Sequence, residues 1–228
     1  MENVEIQVIA RIHSDFPTKF GIPRQSGLVK SVQATIVFEP EFRNSDMLRG
    51  IEGFSHMWLI WQFSGNADKA WSPTVRPPRL GGNTRLGVFA TRSPFRPNFL
   101  GLSSVKFERI EQTQKYGTVI HISGADLMDG TPIFDIKPYI PYSDCHTEAT
   151  GGFTDSADDF LLDVEITDAL LEKLPASKRQ SAIEVLSHDP RPSYQNDPDR
   201  IYGLSFAGFD IRFRVKEKTL SVLDVNPL

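Results

Sequence analysis

Along roughly the first 145 residues, apolar and polar positions alternate in short stretches, which is the pattern of half-buried β-strands. The alternation is clearest over 4–8 and 34–38, and 118–122 reads as a further strand followed by a turn. Clusters of Gly, Pro and Asn separate these stretches, and this arrangement predicts a small antiparallel barrel or sandwich. The best helical signal here is one turn that begins with Asp46 as its cap and closes at Gly50.

The pattern changes after about residue 147. The stretch 147–152 reads Thr-Glu-Ala-Thr-Gly-Gly, a composition typical of a linker. Beyond it, apolar residues recur at helical spacing over 167–174 and 177–186, with Thr167 and Ser177 as predicted N-caps. Two helices are therefore predicted in this part of the chain.

Alternation returns near the C-terminus, where 201–214 and 219–225 predict two strands joined by a charged turn. The predicted fold class is therefore mainly β, and α+β overall, with a small antiparallel β domain followed by a smaller α+β module. The predicted boundaries are 1–146 for the first domain, 147–152 for the linker and 153–228 for the C-terminal module.

Charge is unevenly distributed, since a basic segment lies within an acidic protein of net charge −4. This basic segment, Lys69–Phe107, holds seven Lys and Arg residues and none of the 29 Asp and Glu residues of the chain. Like charges placed together cost free energy unless an anion neutralises them, so the segment predicts a polyanionic partner. The alternative for any one of these arginines is an ion pair with a carboxylate elsewhere in the chain.

Two proline-rich stretches of the basic segment, 73–85 and 90–98, present arginines on stiff loops. Proline fixes φ near about −65°, which lowers the entropy lost when a loop is ordered against a ligand. Planar guanidinium groups suit phosphate oxygens and the faces of bases. The predicted anion contacts are Arg76, Arg79, Arg85, Arg92 and Arg96.

A second group of ionisable residues lies in the aspartate-rich segment 126–139. Asp129 and Gly130 predict a tight turn whose backbone N–H groups are exposed. If the residues after this turn are extended, Asp135 and Lys137 lie on one face and are able to share a pocket. The alternative is that Asp129 serves only the turn and that Asp135 pairs only with Lys137.

Other features exclude several kinds of site. The longest apolar run, Met57–Trp61, is far too short for a bilayer span, and the N-terminus lacks the regions of a signal peptide, so a cytoplasmic location is predicted. The single cysteine, Cys145, rules out an internal disulfide and is interpreted as an ordinary thiol. The five histidines show no metal-ligand spacing, so no metal is predicted, and His56 is expected to be buried or half-buried.

A third loop, 20–28, is rich in Gly and Pro and offers Arg24, Gln25 and Ser26 as polar contacts. It occurs in order with four other strings: Gly53-Phe-Ser-His-Met-Trp-Leu, Arg76-Pro-Pro-Arg-Leu-Gly-Gly-Asn, Gly87-Val-Phe-Ala-Thr-Arg-Ser-Pro-Phe-Arg-Pro-Asn and Asp129-Gly-Thr-Pro-Ile-Phe-Asp-Ile-Lys-Pro-Tyr. Together these strings resemble the TsaA-like family, and specifically its bacterial tRNA methyltransferases. The string 189–194 is similar to the C-terminal extension of the bacterial members.

The resemblance implies a β-barrel methyltransferase that works as a homodimer, with S-adenosylmethionine bound near the subunit interface. It also implies a reaction, the N6-methylation of threonylcarbamoyladenosine, the modified base 3′ of the anticodon in certain threonine tRNAs. The anticodon stem-loop of tRNA is then the anionic partner, whose phosphates the basic segment meets.

The resemblance further implies roles for individual residues. The implied cofactor contacts are Arg24, Gln25, Ser26, Gln62, Arg92, Leu102, Asp129, Gly130, Thr131 and Pro132. The tRNA contacts predicted from the charged segments are Arg76, Arg79, Arg85, Arg96 and Lys137. For the proton on N6, placement in the aspartate-rich segment makes Asp135 the first predicted base and Asp129 the second.

Two other functions remain open from the sequence. A non-catalytic RNA-binding β-domain explains the basic segment but gives the aspartate-rich segment no role. A hydrolase acting on a phosphorylated small molecule would use paired carboxylates and arginines, but it lacks a clear metal cluster. The C-terminal module is expected either to add tRNA contacts, from Lys178, Arg179 and Arg191, or to be purely structural.

Overall fold

The computed structural model describes residues 3–66, 68–155, 160–192 and 197–228, with only the backbone of Arg79. The β-strands, in chain order, are β1 (Ala10–His13), β2 (Gln33–Phe38), β3 (His56–Gln62), β4 (Thr74–Val75), β5 (Leu86–Gly87), β6 (Leu100–Thr113), β7 (Gly117–Ser123), β8 (Pro132–Pro138), β9 (Asp163–Glu165), β10 (Tyr202–Phe206), β11 (Phe209–Lys216) and β12 (Thr219–Pro227). The α-helices are α1 (Pro141–Asp144), α2 (Asp168–Leu171) and α3 (Ala176–Ser187). The prediction of a mainly β fold with some helices is confirmed.

Six strands form one antiparallel sheet in the order β1-β2-β7-β6-β3-β8, and the pairing of β1 with β8 closes this sheet on itself. Alternate side chains of β3 are buried in the apolar interior of this closed sheet, namely Met57, Leu59 and Trp61. The strands predicted at 34–38 and 118–122 are confirmed as β2 and β7.

Three local predictions in this half are wrong. Residues 4–8 form no strand, because the strand that joins the closed sheet begins only at Ala10, and Val4 and Ile6 are exposed. The predicted turn is capped by Asn44, whose Oδ1 accepts from the Asp46 N–H at 3.0 Å, and not by Asp46. His56 is exposed at the start of β3, where strand alternation turns it away from the interior.

The second sheet has four strands in the order β10-β11-β12-β9, of which β9 runs parallel to β12. The single strand predicted over 201–214 is instead a hairpin, β10 and β11, that turns at Ala207 and Gly208. Alternation continues on both sides of this turn, so the sequence pattern hides it. The predicted charged turn is confirmed at Glu217 and Lys218, between β11 and β12.

The helices differ from prediction at their first residues. Helix α2 is a short helix after Thr167, whose side chain makes no capping hydrogen bond. Helix α3 begins at Ala176, directly after Pro175, so Ser177 lies inside the helix and is not its cap. No helix in the described ranges is long and apolar enough to cross a membrane.

A second apolar core is formed by the C-terminal sheet and α3, and it includes Phe206 and Phe213. Three further members, Phe16, Val29 and Val32, come from the chain between β1 and β2. We call residues 14–32 the connecting loop. Although this loop lies within the predicted N-terminal domain, much of its apolar surface is buried in the core of the C-terminal unit.

Candidate functional site

A cavity of about 380 Å³ lies where the connecting loop, the end of β3, the loop 91–96, the start of β6 and the chain before β8 meet. Seven residues that were predicted to contact a ligand line this cavity: Arg24, Gln25, Gln62, Arg92, Arg96, Leu102 and Thr131. The fold thus gathers segments that are far apart in the sequence around one space of the size that small ligands occupy.

The other predicted cofactor contacts lie outside the cavity lining. They are Ser26, Asp129, Gly130 and Pro132. The backbone of Ser26 nevertheless acts to lower the pKa of Asp126, whose carboxyl group does line the cavity.

The turn predicted at Asp129 and Gly130 is present, with Gly130 at φ 76°. Its N–H groups are not exposed donors, which corrects the prediction. The Asp129 N–H donates to the Phe16 carbonyl and the Gly130 N–H donates to the Ile12 carbonyl, both at 2.8 Å. These bonds to the chain around β1 leave the two N–H groups unable to hold a ligand carboxylate.

Asp126 is the centre of a polar network in the cavity wall. The Trp61 Nε1–H donates to Ser103 Oγ at 2.9 Å, and the Ser103 hydroxyl donates to Asp126 Oδ1 at 2.6 Å. Burial raises the pKa of the Asp126 carboxyl, while the Ser103 hydroxyl, the positive charge of Arg92 and the Ser26 backbone act in the opposite direction. The ionised form of Asp126 therefore costs folding free energy.

Lys19 places a cation in the same cavity wall. Its ammonium donates to the Gly65 carbonyl and to the Asn66 side-chain oxygen. Partial burial lowers the pKa of Lys19, and the nearby charge of Lys69 lowers it further. The cavity therefore has a positive edge facing the basic segment.

Two arginines of the basic segment are held at the cavity by hydrogen bonds. The Arg92 guanidinium donates to the Gln25 side-chain oxygen. The Arg96 guanidinium donates to the carbonyls of Thr91 at 3.0 Å and Ser93 at 3.3 Å. Arg96 thus shapes the 91–96 loop as well as lining the cavity, a role that was not predicted.

Two other arginines of the basic segment, Arg76 and Arg85, lie on the surface. Arg85 is exposed and donates to Thr74 Oγ1 at 3.1 Å, and Arg76 is exposed. The side chain of Arg79 lies outside the described residues. Within the part of the chain that the structure describes, no Asp or Glu forms an ion pair with Lys69, Arg76, Arg85, Arg92 or Arg96. Lys106 lies 3.0 Å from Glu108, so internal charge pairing accounts for this cation of the basic segment but, among the described residues, not for the other five.

The two predicted bases do not line the cavity. Asp135 lies on β8 with Oδ2 at 3.1 Å from Lys137 Nζ, and both side chains are partly exposed. Asp129 Oδ1 lies 3.4 Å from His13 Nδ1 and accepts from the Ser14 N–H at 3.0 Å. The catalytic roles of Asp135 and Asp129 stay predictions.

The cations predicted for the C-terminal module have partners within the protein. Lys178 Nζ lies 2.6 Å from Asp15 Oδ2 in the connecting loop. Arg179 donates to backbone carbonyls of its own unit, and Arg191 forms a bidentate ion pair with Asp189. This arrangement favours a structural role for the three side chains.

Sequence reasoning assigned no ligand contact to Asp126 or to Lys19. The signal for Asp126 is its position between two apolar residues, Ala125 and Leu127, both of which are buried. A carboxylate set in such a run is costly unless it is bonded, and is therefore a candidate functional group. Lys19 carries no comparable local signal.

Two family models match the chain. A family model described as the tRNA-methyltransferase O N-terminal domain matches residues 11–145. A second model, the TrmO C-terminal domain, matches residues 160–228.

The chain is 38% identical to the tRNA (adenine(37)-N6)-methyltransferase of Escherichia coli K12, and the alignment covers 100% of both chains. It is 44% identical over 75% of its length to a protein of the same name from Eikenella corrodens, of which 96% is covered. A crystal structure of TrmO from Pseudomonas aeruginosa superposes with a TM-score of 0.81 at 32% identity, covering 100% of this chain and 99% of that one. Because the N-terminal model alone covers more than half of the sequence, the chain belongs to the tRNA-methyltransferase O (TrmO) family.

Proposed function

We propose that this protein is an S-adenosylmethionine-dependent tRNA methyltransferase that methylates N6 of adenosine 37. Its acceptor is threonylcarbamoyladenosine, 3′ of the anticodon in threonine tRNA. The observation that carries the proposal is one cavity, lined by seven of the predicted ligand contacts, beside cations that have no carboxylate partner among the described residues. Family membership supports the same reaction, since two relatives are named tRNA (adenine(37)-N6)-methyltransferase.

The residues around the cavity suit S-adenosylmethionine, which supplies an activated methyl group when bound. The volume of about 380 Å³ lies in the range of small-molecule sites. The Asp126 carboxylate provides an acceptor for hydroxyl or ammonium groups, while Arg92 and Lys19 offer positive charge to a carboxylate. Leu102 and Met128 add apolar surface next to them. In this proposal Asp126 adds an acceptor to the cofactor contacts that the resemblance implies.

The rest of the architecture is proposed on the same grounds. The closed sheet is the β-barrel methyltransferase domain of 1–146, followed by a linker at 147–152 and an α+β module at 153–228. The protein forms a homodimer near the cofactor site, which the exposed apolar side chains of Phe89 and Leu102 support. Its location is the cytoplasm, where the proposed substrate is found. Light scattering tests the dimer, and a monomer at micromolar concentration contradicts it.

The chemical demand on the chain is to hold N6 of the substrate and to remove its proton. N6 lies between a purine ring and a carbonyl group, so its lone pair is delocalised and its proton is more acidic than that of an amine. Holding the nitrogen in line with the methyl group supplies much of the rate, and a carboxylate near N6 accepts the proton. Asp135 is the first proposed base and Asp129 the second.

Asp135→Asn is expected to lower turnover by roughly tenfold or more, with cofactor affinity near that of wild type, because the amide keeps the shape and loses the basicity. Asp210→Asn is a matched control, since Asp210 is also a strand residue paired two positions away, with Arg212 at 3.1 Å. Single-turnover kinetics and calorimetry measure the two quantities. If Asp135→Asn turns over like wild type, Asp135 serves only its pair with Lys137.

Arg76→Ala and Arg85→Ala are each expected to weaken tRNA binding and to flatten its salt dependence. Each phosphate that an arginine no longer neutralises reduces the slope of log K against log salt by about 1. Arg214→Ala, which removes an exposed arginine of β11, is the control and keeps the wild-type slope. Fluorescence anisotropy between roughly 50 and 200 mM salt measures the slopes. Unchanged slopes for both variants place the tRNA elsewhere.

Methyl transfer from labelled S-adenosylmethionine to tRNA tests the proposal against a non-catalytic RNA-binding β-domain. The proposal predicts label in the tRNA and a higher melting temperature with cofactor, because a ligand that binds only the folded state stabilises it. The RNA-binding alternative is not favoured, since it leaves the cavity and the buried Asp126 without a role. Folded protein that transfers no label to any tRNA contradicts the proposal.

A further inference from the structure

The connecting loop joins the C-terminal unit to the cavity. We propose that the C-terminal unit holds the connecting loop in its cofactor-binding conformation, with Lys178 and Glu184 of α3 as positioning residues. The inference rests on the proposed function, since it assigns the C-terminal unit a part in cofactor binding. It also differs from the predicted use of Lys178 as a tRNA contact.

Apolar packing fixes the body of the loop against the C-terminal sheet. Phe16 is fully buried, and its ring centroid lies 5.3 Å from that of Phe206 on β10. Phe20 and Ile22 pack against the same core. Between them, Gly21 has φ 84°, and a Cβ built on it would lie 2.1 Å from Leu204 Cδ1. The left-handed φ and the contact with Leu204 both favour glycine at this position.

One end of the loop is fastened by an ion pair. Asp15 Oδ2 lies 2.6 Å from Lys178 Nζ, with the two side chains 14% and 27% exposed. The Asp15 carbonyl also accepts from the Ala207 N–H at 2.9 Å, in the hairpin turn of the second sheet. Because the pair is largely shielded from water, it holds the loop more firmly than a surface pair would.

The other end of the loop is fastened by a hydrogen bond to the same helix. The Ser31 hydroxyl donates to Glu184 Oε2 at 2.6 Å, and the Ser31 N–H donates to the same oxygen at 3.3 Å. Burial opposes the charge of Glu184, but hydrogen bonds from Gln180 and Ser31 hold its pKa below the usual value. The two fastenings are thus at positions 15 and 31, on either side of the cavity residues.

Between these fastenings the loop reaches the cavity. Gln25 accepts from the Arg92 guanidinium, and Arg24 and Gln25 line the cavity. The Gly27 N–H donates to the Gly124 carbonyl at 2.8 Å. A loop whose ends are fixed loses less conformational entropy when it orders against a ligand, so the fastenings should raise cofactor affinity.

The test compares two lysines of the C-terminal unit that each pair with an aspartate. Lys178→Met removes the pair with the connecting loop, whereas Lys173→Met removes a pair with Asp224 inside the unit, at 3.1 Å. We expect Lys178→Met to raise the Kd for S-adenosylmethionine roughly fivefold and to speed amide exchange in 14–32. The Kd for tRNA stays at the wild-type value. Lys173→Met changes neither the cofactor Kd nor exchange in the loop.

Two further variants separate positioning from general loss of stability. Lys178→Arg keeps the charge and is expected to restore cofactor affinity. Ser31→Ala removes the second fastening without touching Lys178 and is expected to act in the same direction, with rapid exchange in 14–32 and unchanged exchange in β7.

Other outcomes overturn the inference. Weaker tRNA binding by Lys178→Met at an unchanged cofactor Kd assigns Lys178 to tRNA instead. Equal effects of Lys178→Met and Lys173→Met on the cofactor Kd show a loss of stability alone. Failure of the proposed function is distinguishable, because wild-type protein then transfers no methyl group, while amide exchange in 14–32 still reports whether the fastenings hold the loop.

Discussion

Asp126→Asn is expected to bind S-adenosylmethionine at least about tenfold more weakly than wild type while remaining as stable or becoming more stable. The amide oxygen can still accept from the Ser103 hydroxyl, but the cavity loses its negative charge. Burial raises the pKa of the Asp126 carboxyl, so the charged form costs folding free energy that the neutral amide does not. Calorimetry and thermal unfolding measure the two effects.

The pH dependence of this difference has a definite sign. A group whose folded pKa is raised stabilises the fold fully below its unfolded pKa, about 3.9 for aspartate, and loses that contribution as pH rises through the folded pKa. The stability advantage of Asp126→Asn should therefore be largest at neutral pH and shrink on acidification towards pH 4. A constant difference in melting temperature across this window contradicts the account.

Asp144→Asn is the matched control, because the pKa of Asp144 is lowered whereas that of Asp126 is raised. The Asp144 carboxylate accepts from the Ile140 N–H at 2.8 Å and from Trp58 Nε1–H at 2.9 Å, and these bonds lower its pKa. This variant should be less stable than wild type at neutral pH, and its deficit should diminish as pH falls through the lowered pKa. Its cofactor affinity should be unchanged. Equal cofactor affinity for wild type and Asp126→Asn would remove Asp126 from the site.

Gly101→Ala is expected to cost about 1 to 3 kcal/mol of stability and to abolish measurable cofactor binding. A Cβ on Gly101 would lie 2.3 to 2.7 Å from the nearest ring atoms of Trp61. The indole has little room to yield, because it donates to Ser103 and packs against Phe63 with ring centroids 4.4 Å apart. Its displacement would break the network that holds Asp126 in the cavity wall.

Gly53→Ala provides the control for the glycine substitution. A Cβ at Gly53 meets nothing within 4 Å, and no left-handed backbone is required there. Melting temperature and cofactor Kd should therefore match wild type. If Gly101→Ala also binds the cofactor normally, the Trp61 network does not support the site.

The sequence predicted the components of the site better than their arrangement. The resemblance implied that Arg24, Arg92 and Leu102 contact one ligand, and in the structure all three line one cavity. The choice between Asp126 and Asp129 was not visible, because it depends on which side chain faces the cavity after the segment bends. Local turn chemistry placed Gly130 correctly.

Partners distant in sequence explain most of the errors. The N–H groups of the 129–130 turn are bonded to carbonyls of Ile12 and Phe16, more than a hundred residues away, so no local pattern shows that they are occupied. The same holds for the connecting loop, whose Phe16 packs against Phe206 in a strand that begins at Tyr202. The strand predicted over 4–8 is absent because these residues have no partner strand, and an alternating pattern alone does not form a strand.

The most direct test is mass spectrometry of nucleosides after the protein and S-adenosylmethionine are incubated with two tRNA preparations, one containing threonylcarbamoyladenosine and one lacking it. The account predicts the gain of one methyl group on that modified nucleoside alone, and no product from the second preparation. Methylation of unmodified adenosine would contradict the proposed acceptor. No methylated nucleoside from either preparation, with protein shown to be folded, would contradict the methyltransferase function.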